Sequence, residues 1–395
     1  MTDSRTHDIV VVGARCAGSA TAMLLARRGY DVALVDRTPM PRDTLSTHAI
    51  ARSGVVQLSR WGLLHPVLAS GAPAIRTVGF GTGGELAQQQ VKPTAGVDLL
   101  IAPRRYALDT LVREAAEEAG ATAYVPATVT ELQRHPSGQV SGVKLRDGSR
   151  TRTLNARIVI GADGLRSGVA DQVGAARRTW SVSPSGTFYT YVRGLGAAGF
   201  EYHLGPRSLI GVFPTHNDEA CVWVCAPDDA LEPILRAGNA KTAALTAMIT
   251  SASPLLGERL RAAEVTAPVR GALNLPNQVR RPVGPGWALV GDAGYHRDPI
   301  TGYGISDAFR DAELLATAID RHLGGGVPWS VAGAGYDQAR AAALRDIFAI
   351  TQALTHFPAL DQFIALQKQL SGAITREALM LAALPTDRTD PLLVA

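Results

Sequence analysis

The sequence predicts an α/β protein in which a parallel sheet layered with helices carries a second lobe on an antiparallel sheet, followed by a helical C-terminal region. Three observations predict it. Apolar, β-branched runs at Asp8 to Val12, in "DVALVD" from Asp31, in "RIVIG" from Arg157 and in "WALVG" from Trp287 read as buried parallel strands ending at glycine or an acid. "TFYTYV" from Thr187 and "EACVWVCA" from Glu219 alternate as half-buried strands, with the turn signals "GPRS" and "THND" between such runs. From Trp329 onward the chain is rich in alanine and leucine in an amphipathic helical pattern. That pattern suits a cap on the first domain or a dimer surface, so monomer and homodimer both stay open.

Bulk composition narrows the classes. With 395 residues, 46% of them apolar and 19% charged, the chain has room for a sizeable core and two domains. A net charge of +4 with no basic run gives no reason to expect a nucleic-acid partner. The three cysteines, Cys16, Cys221 and Cys225, cannot form a disulfide framework. They lack zinc-site spacing, and no histidine pair has helical ligand spacing, so no metal is expected. No charged-then-apolar leader precedes the first strand and no apolar run nears the roughly 20 residues of an integral membrane segment. The expected compartment is the cytoplasm.

The first unit, "VVVGARCAGSATAMLLARRGYDVALVDR" from Val10 to Arg37, is a Rossmann-like strand-turn-helix-strand. The helix is expected from about Ala17 to Arg28, with Gly29 as its left-handed C-cap. Asp36 lies 18 residues beyond Gly18, close to the roughly 20 expected of a carboxylate that bonds an adenosine ribose. Gly13 permits the sharp turn and Gly18 lets the helix lie close to the sheet, while the free amides of the first turn attract a diphosphate. Arg15 stands where a second glycine is usual, and its side chain can supply positive charge to the same diphosphate. Ala17 and Arg37 belong to the same turn and strand end.

Two later segments complete a pattern. "RIVIGADGLRSGV" from Arg157 ends a strand at Gly161, Asp163 and Gly164, and "WALVGDAGYHRDPITGYGISDAFRDA" from Trp287 ends one at Gly291 and Asp292 before a loop and a helix. In this order and at these separations the three segments resemble the motifs of the group A flavoprotein monooxygenases. That superfamily has the para-hydroxybenzoate hydroxylase fold and includes geranylgeranyl-reductase-like enzymes and flavin-dependent halogenases. The resemblance covers about residues 8 to 325. It implies a discontinuous FAD-binding domain (1–71, 103–177 and 273–328) with a three-layer ββα arrangement, a substrate domain (72–102 and 178–272) and a C-terminal helical region (329–395).

Flavin chemistry gives the third segment its roles. Asp292 can accept hydrogen bonds from the ribityl hydroxyls, and the helix from about Gly304 can aim its N-terminal amides at the pyrimidine edge, which becomes anionic on reduction. Gly302 and Gly304 keep that approach free of side chains, Pro299 fits a wall beside the ring, and Ile305 begins the helix's apolar face with Ala308, Phe309, Ala312 and Leu315. By the resemblance, Arg105 at the start of "RYALDTLVREAAEEAGA" reaches the ribityl or phosphate region, and the loop "PRDTLSTH" passes the flavin, with Arg42 and Ser46 as contacts and His48 as a candidate catalytic residue facing substrate.

The resemblance implies a single-component FAD-dependent monooxygenase, a hydroxylase or epoxidase. NAD(P)H reduces the flavin, dioxygen adds at C4a, and the hydroperoxide oxygenates a small apolar aromatic or polyketide-like metabolite. Tyr189, Tyr191, Phe213 and Trp223 are the candidate substrate contacts on the antiparallel lobe. Two alternatives stand beside it: a reductase that saturates an isoprenoid or other alkene, and a non-catalytic flavin- or ligand-sequestering protein. There are departures from the family pattern. Ala170 replaces the arginine that often follows the "GADG" element, which leaves NADH versus NADPH open, and "GDAGY" stands where "GDAAH" is usual.

Overall fold

Alternation along the first strand decides the layering. In the computed structural model, which describes residues 3–39, 43–82 and 86–385, Ile9 and Val11 enter one core while Val10 and Val12 enter another. A strand buried on both faces must be apolar at successive positions, which is why it reads as a continuous run. The principal elements run β1 (Asp3–Val12), α1 (Cys16–Arg27), β2 (Val32–Val35), α2 (Arg52–Arg60), β3 (Thr77–Thr82), α3 (Arg105–Glu118), β4 (Arg150–Gly161), β5 (Ser185–Arg193), β6 (Phe200–Gly205), β7 (Ser208–Pro214), β8 (Glu219–Pro227), β9 (Trp287–Leu289), α4 (Gly304–Leu323), α5 (Trp329–Leu354) and α6 (Leu360–Ala382).

The first sheet is ordered Val283–Gly284, β9, β4, β1, β2, Thr122–Tyr124. Its central pairs are parallel, with Val10 opposite both Ala33 and Val159, and Ile160 opposite Ala288. Met23 and Leu24 of α1, Leu108 of α3 and Phe309 of α4 cover one face. The antiparallel strands Thr128–Arg134 and Val140–Asp147 cover the other through Leu132, Val143 and Leu145. The result is the expected three-layer α/β arrangement. β1 begins at Asp3, earlier than the expected Asp8, because its first residues continue the pairing with β4. Gly29 takes φ +86° just past α1, as a C-cap requires.

The second sheet runs Glu264–Val265, β5, β8, β7, β6, β3, Ala87–Gln90. β3 joins it parallel to β6, so the 77–82 segment is part of the antiparallel lobe. The strands expected to be half-buried are buried on both faces, and every residue of β8 is buried. The reason is a helical layer that the reading of 178–272 as sheet alone missed. The helices Asp228–Arg236, Lys241–Ala252 and Pro254–Ala262 lay Leu231, Ile234, Leu245, Ile249 and Leu256 over the outer face.

On the inner face Tyr189, Tyr191, Phe213 and Trp223 share a core with Ile347, Leu354, Phe363 and Leu370 of the C-terminal helices. α5 and α6 therefore pack back on their own chain. No described helix is long and apolar enough to cross a membrane.

The helix layer depends on Phe309, fully buried and edge-on to Trp61 at 5.2 Å between ring centroids. Phe309→Ala is expected to lower stability by ~3–5 kcal/mol in urea unfolding; a loss under about 1 kcal/mol would contradict the packing described.

Candidate active site

Three strand ends meet so closely that side chains are excluded between them. A Cβ on Gly13, which has φ +109°, would fall 2.3 Å from the Ala162 carbonyl oxygen, and Gly18 lies buried beneath the same turn. A Cβ on Gly291, at φ +59°, would fall 2.7 Å from Cβ of Ala17. The first, second and third sequence segments are thus in contact. Around their junction lies a cavity of ≈ 540 Å³, lined by Gly13, Arg15, Ala17, Asp36, Arg37, Ser46, His48, Arg105, Asp163, Gly291, Asp292, Pro299, Gly302, Gly304 and Ile305. Arg42 lies outside the described residues.

One end of the cavity is built for anions. α1 carries no acidic residue in its first turn and no side-chain cap on its free amides. The side chains of Arg15, Arg37 and Arg166 line this region and make no hydrogen bond or ion pair among the described residues. Asp36 accepts from Ala14 N at 2.8 Å and Thr38 N at 2.7 Å, so it braces the glycine turn as well as lining the cavity. Asp163 is more fully committed to its own turn: it accepts from the Ser167 hydroxyl and from Val169 N at 3.1 Å. Burial still pushes its pKa up.

The middle of the cavity differs. Asp292 ends the buried β9 run, yet it is exposed and makes no hydrogen bond among the described residues. Arg105 is 12% exposed and lines the cavity, not the protein surface, paired with Asp109 through two 3.0 Å hydrogen bonds. Burial works against the Arg105 charge, but the Asp109 carboxylate outweighs it and its pKa moves up. Cys16 donates to the same carboxylate at 2.9 Å.

At the far end, a Cβ on Gly304 would meet no protein atom within 4 Å. The N-terminus of α4 therefore opens on free space. Asp307 in its first turn would oppose a negative group there. It is neutralised by Arg297 at 2.7 Å and Arg310 at 2.5 Å. Arg310 also pairs with Asp311 at 2.7 Å and with Glu377 of α6 at 3.2 Å, and Tyr303 donates to Glu377 at 2.7 Å. Sequence reasoning missed this buried network. Its signal was there: Asp307, Arg310 and Asp311 interrupt a helix otherwise read by its apolar stripe.

The loop from Asp43 to Ala49 closes the site. His48 is 1% exposed at φ +67°, its Nε2 bonded to the Tyr191 hydroxyl. The Tyr189 hydroxyl accepts from Ser46 N at 3.3 Å and donates to Thr44 O at 3.4 Å. Arg104 pairs with Asp43 and with Glu219 at 2.7 Å, its guanidinium 3.7 Å from the Tyr191 ring centroid. Tyr189 and Tyr191 thus hold the loop from behind. Phe213 and Trp223 pack 5.3 Å apart in the lobe's core and are not among the residues lining this cavity.

A dinucleotide turn, a second strand end against it and a side-chain-free helix terminus facing a shared cavity define a flavin-dependent oxidoreductase. The family model described as FAD binding domain matches residues 6–347, and the chain belongs to that family. FAD is its cofactor. The menaquinone reductase of Mycolicibacterium smegmatis is 29% identical over 324 residues, 78% of this chain and 75% of that one. The digeranylgeranylglycerophospholipid reductase of Methanothrix thermoacetophila is 26% identical over 325 residues, 79% and 78% of the two chains. The crystal structure of PqsL, a probable FAD-dependent monooxygenase from Pseudomonas aeruginosa, superposes with TM-score 0.78 at 23% identity, covering 92% of this chain and 100% of that one.

Two outcomes follow. Asp292→Ala is expected to weaken FAD binding ~10–100-fold, the loss of hydrogen bonds to a charged acceptor, read by flavin fluorescence titration; unchanged affinity would contradict the assignment. His48 is held neutral: burial first, then the charges of Arg105 and Arg104, lower its pKa from 6.5 to about 3 despite Asp43. Because the unfolded state takes up this proton first, the stability His48 contributes is full above pH 6.5 and is lost as pH falls toward 3. His48→Asn should remove up to ~1.4 kcal/mol per pH unit from the acid slope of unfolding free energy, and parallel slopes in the two proteins would contradict this.

Proposed function

We propose that the chain is a single-component FAD-dependent monooxygenase that uses NAD(P)H and dioxygen to place one oxygen atom on a small apolar aromatic or polyketide-like molecule. When bound, FAD supplies the electrons taken from NAD(P)H and the activation of dioxygen. The observation that carries the reading is that the carboxylates of the described cavity wall are engaged by the protein itself, all but Asp292, which this reading gives to the ribityl hydroxyls. Asp36, Asp163 and Asp307 are engaged as above, and Asp298 accepts from Ser183 at 2.7 Å, Ser185 at 2.9 Å and Ile300 N at 2.8 Å. His48 is held neutral and His296 is tied to the Pro276 carbonyl at 2.5 Å. Oxygen transfer to an electron-rich carbon calls on none of these groups.

What the chain supplies on this reading is position and charge. The α1 amides and Arg15 would hold the diphosphate, and Asp292 the ribityl hydroxyls. The open N-terminus of α4 would face the pyrimidine edge, with Arg297 and Arg310 cancelling the one carboxylate that would oppose negative charge there. The loop from Asp43 to Ala49, pinned by Arg104, would exclude water from the reacting centre.

A second reading is favoured by the two reductases, whose similarity spans three quarters of this chain: saturation of an isoprenoid or other alkene. That reaction needs a proton delivered to carbon, and it would draw on Tyr295, whose buried hydroxyl makes no hydrogen bond among the described residues, or on His296, bonded only through Nδ1. The experiment is NAD(P)H oxidation by the FAD-loaded protein with and without dioxygen, over aromatic, polyketide-like and prenyl compounds. Substrate-dependent oxygen uptake, with label from heavy-isotope dioxygen in the product, is expected. Anaerobic saturation of an alkene would establish the reductase, and a tightly held ligand without turnover would contradict both.

A further inference from the structure

Directly opposed residues on neighbouring strands share one face of a sheet. In the second sheet one such row runs Phe80, Tyr202, Gly211, Trp223, Tyr189, from β3 through β6, β7 and β8 to β5. At ~4.8 Å per strand the row is about 19 Å long. Its one non-aromatic member has a steric reason. A Cβ on Gly211 would fall 2.1 Å from Cε2 and 2.2 Å from Cζ2 of Trp223. The glycine therefore lets the indole lie flat across β7 instead of standing away from the sheet. Tyr202 meets Trp223 edge-on at 6.2 Å, and Phe80 lies 6.2 Å beyond Tyr202. At the other end Tyr189 holds Thr44 and Ser46, which line the cofactor cavity. The row leads from the far side of the sheet to that cavity.

Two polar groups in this row lack partners. Trp223 Nε1 is buried with no acceptor, and the Tyr202 hydroxyl makes no hydrogen bond among the described residues, its pKa pushed up by burial alone. An indole N–H can only donate, and buried donors without acceptors are rare. The neighbouring hydroxyls are satisfied, Tyr189 by Thr44 and Ser46, Tyr191 by His48. The unmet demand is for an acceptor at the middle of the row.

We propose that this aromatic row, levelled at Gly211, is the specificity-determining floor of the substrate site, and that it selects a flat or chain-like apolar molecule whose carbonyl oxygen accepts from Trp223 and Tyr202. The inference rests on the oxidoreductase reading and adds the substrate class to it. The hydrocarbon part lies along the row, with the reacting carbon toward Tyr189 and the cofactor cavity.

The test is calorimetric titration of the FAD-loaded enzyme with 2-acetylnaphthalene and 2-ethylnaphthalene, which match in shape and differ in the carbonyl. The native protein is expected to bind the ketone roughly tenfold tighter. Tyr202→Phe with Trp223→Phe removes both donors while leaving an aromatic ring at each position; the smaller ring at 223 costs both ligands contact, but the ratio of the two affinities should fall to within about threefold. Gly211→Ala lifts the indole and should weaken both by roughly tenfold, with FAD content unchanged. Equal binding of the pair by the native protein, or undiminished preference in the doubly substituted one, overturns the proposal. The titration runs without NAD(P)H, so its result stands apart from whether turnover oxygenates or saturates the substrate.

Discussion

Everything in this molecule depends on a single steric constraint: three strand ends separated by long stretches of chain come together with no room for a side chain between them. Gly13 against Ala162 and Gly291 against Ala17 are contacts that any Cβ would break. Such a junction is costly in backbone freedom and is sustained by the layers around it. Ile9, Val11 and Ile160 are clamped by α1, α3 and α4 on one side, and Val10 and Val159 by the hairpin on the other. The rigidity of those layers is what lets a cavity of ≈ 540 Å³ persist at the junction.

The charge pattern follows from that geometry. Amide dipoles aimed at the cavity from α1 and α4 favour negative charge at both ends, and the chain has arranged its acids accordingly. Asp36 and Asp163 are spent on bracing turns, Asp307 is neutralised by two arginines, and Asp292 alone is left unbonded among the described residues. The network under α4 reaches Glu377 on α6. The C-terminal helices are therefore part of the electrostatics of the site, since removing Glu377 would leave the buried Arg310 with one carboxylate fewer.

Local signals carried the first domain well. Continuous β-branched runs, glycine at strand ends and the apolar stripe of α4 are short-range features, and α1 and α4 fall within a residue or so of their expected positions. The long-range facts were harder to read. Half-burial was expected for β8 because alternation cannot reveal that helices cover its outer face. The buried charges of α4 went unread because only its apolar stripe was followed, and one of their partners, Glu377, lies in the C-terminal helices. Arg105 was read as a cofactor contact and sits in the cavity, but its pairing with Asp109 four residues on came only from the fold. Phe213 and Trp223 were named as substrate contacts by their strand alone; their place in a cross-sheet row needed the register.

A crystal structure of the FAD-loaded protein tests the central claim most directly. Density for the ribityl chain within hydrogen-bonding distance of the Asp292 carboxylate, with the isoalloxazine beside Gly304 and Pro299, is the expected result. A flavin ring lodged elsewhere, or a strand-end junction closed over by protein with Asp292 turned to solvent, would contradict it.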